Sequence, residues 1–227
     1  MTEAGRSSAF LEALAQLHER FLVGVDGVTE VWLIRHGDAY AELVSLDDSR
    51  IDPPLSQKGR EEAARLGERV ANSGISELWS SQLLRAQETA ALAAAPAGLP
   101  RHTDDRLREV RTHWDDGAPP QLDDSAPASR YIPFVEPFDE VISRMDGVIH
   151  DLAAKAGPGG RIAAVSHAGA ISVYLSHVLK LDFGALRMLV QFTSVSVLLM
   201  KGDRIVVQSI GDIGHLVRER AAALERE

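Results

Sequence analysis

Two short runs of the sequence combine histidine with arginine, serine or glycine, residue types that suit the binding and transfer of phosphate. Arg35-His36-Gly37 forms the first run, and Ser166-His167-Ala168-Gly169 forms the second. A guanidinium group binds phosphate oxygens through two parallel N–H donors. A neutral imidazole can act as a nucleophile. Arg85 and Glu109 add a second guanidinium and a carboxylate, so the sequence contains the groups of a candidate anion site.

Each of these residues closes or follows a predicted β-strand. Glu30–Arg35 is rich in β-branched and aromatic residues and is predicted to be a buried strand that stops at Gly37. Because ligands of parallel sheets bind beyond the carboxyl ends of the strands, we expect the polar side chains to converge on one edge. The other strands of this set are Ile75–Ser80, with Arg85 about one helical turn later, the extended segment Arg101–Arg111, which holds Glu109, and Arg161–Ser166.

The segments between these strands have helical periodicity. Ser56 is a predicted N-cap of a helix that runs to about Asn72, and the Ala-rich stretch Gln82–Ala95 is predicted to be the next helix. Strand–helix alternation followed by a hairpin predicts an α/β fold, a three-layer α/β/α sandwich with a mainly parallel central sheet. The remaining predicted elements are helices at 8–22, 138–152 and Ala170–Leu179, and strands Ser194–Met200 and Arg204–Ser209 around the turn Lys201-Gly202-Asp203.

The first histidine run requires a bend in the backbone if both of its long side chains serve one pocket. Arg35 and His36 are neighbours, so a straight strand would point their side chains to opposite faces. Both can reach one pocket only if the chain bends at Gly37. Glycine permits such a bend, and its backbone N–H would then be free to face an oxyanion.

Composition excludes several classes of function. The 227 residues are 45% hydrophobic and 25% charged, which suits one domain with one large core. The absence of cysteine excludes disulfides and thiolate zinc sites, and it fits a cytoplasmic protein. The net charge of −9, without a basic block, argues against a nucleic-acid partner. The sequence has no apolar run long enough to span a bilayer and no basic-then-apolar leader, so we expect no membrane partner.

Several segments resemble, in order, those of the histidine phosphatase (phosphoglycerate mutase-like) superfamily, over about residues 29–217. Glu30–Asp38 resembles the family's opening strand and its Arg-His-Gly signature. An isolated Arg-His-Gly is a weak signal, but six matching segments in one order are a strong one. The other similar segments are Pro54–Arg60 through Gly67, Ser80–Ala86 with Thr89-Ala90, Leu107–Glu109, Val165–Gly169 and Asp212–Leu216.

The resemblance implies a role for each candidate residue and a small phosphomonoester or phosphate as ligand. His36 would attack phosphorus and form a phosphohistidine. Glu109 would protonate the leaving alcohol and later activate water. The resemblance implies no cofactor and no metal, because arginines take the role that magnesium plays elsewhere. The residues that would bind the phosphoryl group are Arg35, Arg85 and His167, with Gly37 and Ala168 lining the site.

Differences from the family pattern favour one function over the alternatives. The family's mutases carry a Glu-Arg-His-Tyr-Gly run, which is absent here, and Asp38-Ala39-Tyr40 replaces the usual Thr/Ser-x-x-Asn pattern. Both differences favour a phosphatase. His167-Ala168 argues against the acid phosphatase branch, which has His-Asp, and so favours branch 1. A phosphoglycerate mutase and a catalytically silent phospho-ligand-binding protein remain the alternatives. An acyl hydrolase is disfavoured because no Gly-x-Ser-x-Gly elbow is present.

The regions around this core carry weaker predictions. We divide the chain into an N-terminal helical extension (1–28), a histidine phosphatase domain (29–217) with a lid-like loop at about 112–137, and a charged tail (218–227). His113 and Trp114 in the loop are candidate substrate contacts, although Trp114 can equally anchor the loop. We expect the apolar stripe of the first helix to pack into the core; a monomer and a homodimer both remain open. The acid also has alternatives close by, namely Asp104, Asp105, Asp115 and Asp116.

Overall fold

The structure, a computed structural model, describes residues 3–39, 52–111, 135–181, 188 and 190–217, with the side chains of 3–9 excluded. His113, Trp114, Asp115 and Asp116 of the predicted lid-like loop lie outside this description, as does the charged tail. None of the helices in the described part of the chain combines the length and apolar character needed to cross a membrane.

A six-stranded sheet forms the centre of the described residues, with the strand order β3-β2-β4-β1-β5-β6. The first four strands in this order run parallel, and β5 and β6 form an antiparallel hairpin beside β1. This confirms the predicted mainly parallel sheet and places β1 and β4 side by side at its middle. The strands are β1 (Thr29–Arg35), β2 (Leu78–Ser80), β3 (Arg101–Thr103), β4 (Arg161–Ser166), β5 (Val195–Lys201) and β6 (Arg204–Asp212).

Helices cover both faces of the sheet, which gives the three-layer sandwich. Val31 and Leu33 of β1 pack on one face, while Trp32 and Ile34 pack on the other, as the two-residue period of a strand requires. The helices are α1 (Glu3–Phe21), α2 (Gln57–Ala71), α3 (Leu84–Ala94), α4 (Phe138–Ala156) and α5 (Ala168–Val178). Of these, α4 and α5 cover the face of Val31, and α2 and α3 cover the face of Trp32.

Two local details show how side chains set the ends of elements. Ser56 is the N-cap of α2, as predicted: its hydroxyl oxygen accepts the Gly59 N–H at 3.1 Å. The prediction that 101–111 is extended throughout is wrong. Asp104 accepts the Arg106 N–H at 2.9 Å and starts a 3₁₀ turn at Asp105–Leu107, which turns the chain toward the carboxyl end of β4.

The prediction that the apolar stripe of α1 packs into the core is also wrong. Phe10 is 67% exposed and Leu17 is 50% exposed, whereas Leu22, directly after the helix, is only 3% exposed. The chain therefore enters the core after α1 has ended. Helical periodicity identifies an apolar face but does not identify what that face contacts.

Candidate active site

The backbone of His36 is fixed at the centre of the sheet edge. Its N–H donates to the carbonyl of Ser166 at 3.0 Å, and its carbonyl accepts the Thr193 N–H at 3.3 Å. The residue directly follows β1, and its side chain is only 6% exposed. The parallel pairing of β1 with β4 thus brings the two histidine runs of the sequence side by side.

Two hydrogen bonds define the protonation of the His36 ring. Nε2 lies 3.2 Å from Nε of Arg85, which can only donate, so Nε2 must accept. The proton is then on Nδ1, which lies 2.7 Å from the Gly37 carbonyl oxygen and donates to it. Burial, followed by the positive charge of Arg85, lowers the pKa of His36 to about 3. The imidazole is therefore neutral at physiological pH, with the lone pair of a nucleophile on Nε2.

His167 follows β4 and faces the same space. Its ring centroid lies 5.0 Å from that of His36, and the side chain is fully buried. Burial and the nearby charge of Arg85 hold the pKa of His167 well below its ordinary value. Among the described residues, neither ring nitrogen of His167 has a hydrogen-bond partner. Buried polar groups of this kind are rare in proteins and are typical of functional sites.

Arg35 directly precedes His36, and contacts with Val190 and Phe192 hold its guanidinium. Its Nη1 donates to the Val190 carbonyl at 2.7 Å, and its guanidinium carbon lies 3.8 Å from the centroid of the Phe192 ring. The Phe192 ring in turn lies 5.7 Å from the His36 ring. One aromatic side chain thus borders both neighbours, which explains how consecutive residues serve a single pocket. No pattern in the sequence indicates this contact.

Gly37 has a different role from the one predicted. Its N–H donates to the hydroxyl oxygen of Thr89 at 3.0 Å, so it is not directed at an oxyanion. A Cβ at position 37 would lie 2.7 Å from the carbonyl oxygen of Gly59, and a Cβ at Gly59 would meet the backbone of Asp38. Glycine is required here because two backbone segments cross in close contact.

Arg85 lies in the first turn of α3, close to the carboxyl end of β2, where its side chain reaches His36. Asp52 accepts the Leu84 N–H at 2.8 Å and forms an ion pair with Nη1 of Arg85 at 3.4 Å. The same carboxylate therefore caps the helix and orients its arginine. Asp52 was not identified from the sequence, where it is one of many acidic residues.

Glu109 lies at the N-terminus of α5, the helix that begins directly after His167. Its carboxylate accepts the N–H groups of Ala170 at 2.9 Å and Gly169 at 3.3 Å, as well as that of Val110. Ala168 is the first residue of this helix. A Cβ at Gly169 would lie 2.7 Å from Oε1 of Glu109, so a larger residue there would displace the carboxylate.

A buried ion pair holds the segment that carries Glu109. Arg144 of α4 binds both carboxylate oxygens of Glu136, at 2.8 and 3.1 Å, and the Glu136 side chain is inaccessible to solvent. The same guanidinium donates to the carbonyls of Arg106, Arg108 and Glu109. Burial alone would raise the pKa of Glu136, but hydrogen bonds from Arg144 and from the Arg111 N–H outweigh burial and lower it. We call Arg144 and Glu136 the buried clamp.

The arrangement combines a neutral imidazole with groups that could bind an anion, in an acidic chain. Two guanidinium groups and two uncharged imidazoles meet at the sheet edge, where Asp52 pairs with Arg85 and backbone N–H groups hold Glu109, so donors for an anion are gathered at one place in a chain of net charge −9. In the described part of the chain, no three His, Asp or Glu side chains are grouped so that they could hold a metal ion. The predicted residues that this edge brings together are Arg35, His36, Arg85, Glu109 and His167.

Comparison with known proteins identifies the family. The model of the histidine phosphatase superfamily (branch 1) matches residues 31–213. The chain belongs to branch 1 of the histidine phosphatase superfamily. A relative named probable phosphoglycerate mutase GpmB, from Cronobacter sakazakii, is 30% identical over 217 residues, which cover 87% of this chain and 99% of the relative.

Solved structures of histidine phosphatases share the fold. A mycobacterial glucosyl-3-phosphoglycerate phosphatase is similar with a TM-score of 0.65 and 26% identity, over 79% of this chain and 97% of that one. A phosphoglycerate mutase from Bacillus anthracis has a TM-score of 0.68 over 86% of this chain and 98% of that one. At 19% identity, the second likeness supports the fold alone. Phosphatases and mutases thus both occur among the proteins that this member of the superfamily resembles.

Proposed function

We propose that this protein is a metal-independent phosphomonoester phosphatase that works through a phosphohistidine on His36. The observation that carries the proposal is the state of the His36 ring. Hydrogen bonds with Gly37 and Arg85 fix the proton on Nδ1, and burial keeps the imidazole neutral. A neutral Nε2 beside a guanidinium is poised to attack a phosphoryl group held by that guanidinium.

In the first step, the lone pair of His36 Nε2 forms a bond to phosphorus while the bond from phosphorus to the ester oxygen breaks. Arg35 and Arg85 stabilise the charge on the oxygens of the phosphoryl group in flight. His167 donates one ring N–H, which has no partner among the described residues. The leaving oxygen takes a proton from Glu109 and departs as an alcohol.

In the second step, Glu109 removes a proton from water, whose oxygen attacks the phosphohistidine. The nitrogen–phosphorus bond breaks, inorganic phosphate leaves, and the lone pair returns to Nε2 of His36. Both carboxylate oxygens of Glu109 accept backbone N–H groups in this structure. One oxygen must therefore give up its bond at the N-terminus of α5 before it can exchange a proton with substrate.

Hydrolysis of an aryl phosphate in excess EDTA tests the proposal. We expect turnover in EDTA, and we expect His36→Ala to lose activity by roughly ten-thousand-fold or more, because the nucleophile is removed. His177→Ala, a change at an exposed histidine near the end of α5, is the matched control. The wild type should rapidly form an acid-labile phosphoenzyme, and His36→Ala should form none. Phosphate binding without any phosphoenzyme would indicate a silent binding protein instead.

The named relative supports a phosphoglycerate mutase as the second candidate. A mutase returns the phosphoryl group from histidine to another hydroxyl of its substrate, so it must retain the intermediate and exclude water. The stretch Asp38-Ala39-Tyr40 lacks the mutase pattern, and the Glu-Arg-His-Tyr-Gly run is absent, which favours the phosphatase. Incubation of 3-phosphoglycerate with a bisphosphoglycerate primer distinguishes the two. We expect release of phosphate and little 2-phosphoglycerate.

A further inference from the structure

The N-terminal helix α1 presents an apolar face that the described chain leaves exposed. Four of its side chains lie in one line along the helix, and we call them the α1 seam: Phe10, Leu14, Leu17 and Phe21, which are 67%, 36%, 50% and 49% exposed. Leu11 and Val23 flank the seam and are 62% and 54% exposed. The family match begins at residue 31, so this helix is an addition to the shared fold.

The size of this face is unusual for a surface that stays in water. At about 200 Å² for a fully exposed large side chain, these six residues expose on the order of 600 Å², at the upper limit for a monomer. The helix is tied to the β5–β6 hairpin near its C-terminal end, where Glu19 pairs with Lys201 and Arg204. Most of the stability of a helix in a protein comes from packing of its apolar face, so burial of the seam would stabilise α1 substantially.

The spacing of the seam indicates what covers it. Successive seam residues are four, three and four positions apart, the pattern of alternating a and d positions in a coiled coil. The order Phe, Leu, Leu, Phe reads the same in both directions. In an antiparallel pair of identical helices, Phe10 would face Phe21 of the partner subunit and Leu14 would face Leu17 of the partner subunit. A two-fold interface requires such self-complementarity.

The flanking positions also allow this pairing. On one side of the seam, Leu11 would lie beside His18 of the partner subunit, and on the other side Ala13 would lie beside Arg20 of the partner subunit. No flanking pair of this arrangement brings like charges together. Two faces of about 600 Å² bury roughly 1,200 Å² in total, which reaches the lower end of stable protein interfaces.

We propose that the α1 seam pairs antiparallel with the α1 seam of a second copy of this chain, making the protein a homodimer. We call the sheet edge that carries Arg35, His36, Arg85, Glu109 and His167 the catalytic edge. The proposed interface is formed by α1 and does not include this edge, so dimerisation and catalysis are separable. The proposal does not depend on the proposed function.

Sedimentation equilibrium of the full chain tests the dimer. We expect twice the monomer mass of 24.6 kDa at micromolar concentration. Leu14→Glu/Leu17→Glu should weaken association by at least about a hundredfold, because four carboxylates would be buried against each other. Ala15→Glu/Gln16→Glu adds the same charge to the opposite face of the same helix and should leave the dimer intact. Circular dichroism and thermal unfolding check that both variants fold.

Cysteine cross-linking tests the orientation, and it does not depend on how the glutamate variant folds. The chain has no cysteine, so an introduced thiol has a unique position. An oxidised mixture of Leu14→Cys and Leu17→Cys proteins should give the mixed disulfide dimer, and either variant alone should give little. Efficient self-cross-linking of Leu14→Cys would show a parallel pair and overturn the antiparallel arrangement. A monomeric wild type, or a dimer that survives Leu14→Glu/Leu17→Glu, would overturn the proposal altogether.

Discussion

The catalytic edge and the α1 helix depart from ordinary burial in opposite directions. At the edge, His36 and His167 are polar yet buried, and burial keeps both uncharged. On α1, Phe10 and Leu17 are apolar yet exposed. Burial of a polar group without a partner costs free energy, and so does exposure of an apolar face. Each departure persists only where another molecule compensates for it: an anion at the edge and, in our proposal, a second subunit at α1.

The two regions also differ in how firmly they are held. The candidate site is held by hydrogen bonds between backbone N–H groups and side chains from distant parts of the chain, such as Gly37 with Thr89 and Ala170 with Glu109. The described ion pairs that tie α1 to the body centre on Glu19, near its C-terminal end. Substitutions at the edge should therefore change chemistry and stability together. Substitutions on the α1 seam should change association alone.

The largest effect after loss of the nucleophile is expected for Arg85→Gln. This change removes a phosphoryl-binding guanidinium and the hydrogen bond to His36 Nε2, so kcat should fall roughly 100- to 1,000-fold. The positive charge of Arg85 also lowers the pKa of His36, so its removal should raise the midpoint of the His36 ring in an NMR titration. Arg101→Gln, on exposed β3, is the matched control. An unchanged midpoint would show that the charge of Arg85 does not lower the pKa of His36.

A smaller loss of activity is expected when the buried clamp is broken. In Arg144→Met, the segment of Glu109 loses three carbonyl contacts, and a shift of about 1 Å in a catalytic group can cost up to about 100-fold in rate. We expect kcat to fall ten- to a hundredfold while KM changes little, since Arg35 and Arg85 remain. Removal of Arg144 takes two hydrogen bonds from the buried Glu136 carboxylate and leaves Arg108, at 2.8 Å, as its ion-pair partner, so we expect the fold to lose about 1–3 kcal/mol.

The double variant Arg144→Met/Glu136→Gln separates positioning from stability. It removes the buried negative charge that Arg108 alone would otherwise balance, so it should recover part of the lost free energy of unfolding in urea titrations, but kcat should stay low. Recovery of kcat together with stability would mean that Arg144 acts only through the fold and does not position Glu109.

The sequence predicted the layers and the residues that meet at the sheet edge, because both depend on local patterns. The alternation of strands and helices is visible in the order of residues, and so are the histidines that follow β1 and β4. The clamp was not predictable. Arg144 and Glu136 are two of 57 charged residues, and only the fold shows that they are buried together beside the segment of Glu109. Phe192 was missed for the same reason, since its contact with Arg35 joins residues far apart in the sequence.

The stripe of α1 shows a different limit of sequence analysis. A core-facing helix and a helix that pairs with another subunit have the same 3.6-residue periodicity. What distinguishes them is where the chain goes next, and Leu22 enters the core only after the helix has ended. The order of residues within the α1 seam is compatible with pairing to a second copy, but this can be inferred only once the exposure of the helix is known.

Acidification should lower the free energy of unfolding, because His36 is buried as a neutral imidazole. The folded-state pKa of His36 is lowered from 6.5 to about 3, so between these values the unfolded chain binds a proton that the folded chain does not. Stability from this residue is complete above pH 6.5 and is lost as pH falls toward 3. At pH 4.5, the loss is about 3 kcal/mol. Urea unfolding at pH 7.5 and 4.5 should show a smaller difference for His36→Asn than for wild type, and no such reduction for His177→Asn.

The smallest effect on catalysis is expected for removal of α1. The helix precedes the core, and its apolar face contributes nothing to the catalytic edge, so deletion of residues 1–21 should leave kcat and KM within about twofold of wild type. Association should be lost in the same protein, because the α1 seam goes with the helix. Activity and association, measured on the same truncated protein, therefore test whether α1 is independent of the catalytic edge. A truncated protein that is monomeric and has lost most of its activity would show that the catalytic edge depends on the dimer, and the separation drawn between the two regions would be wrong.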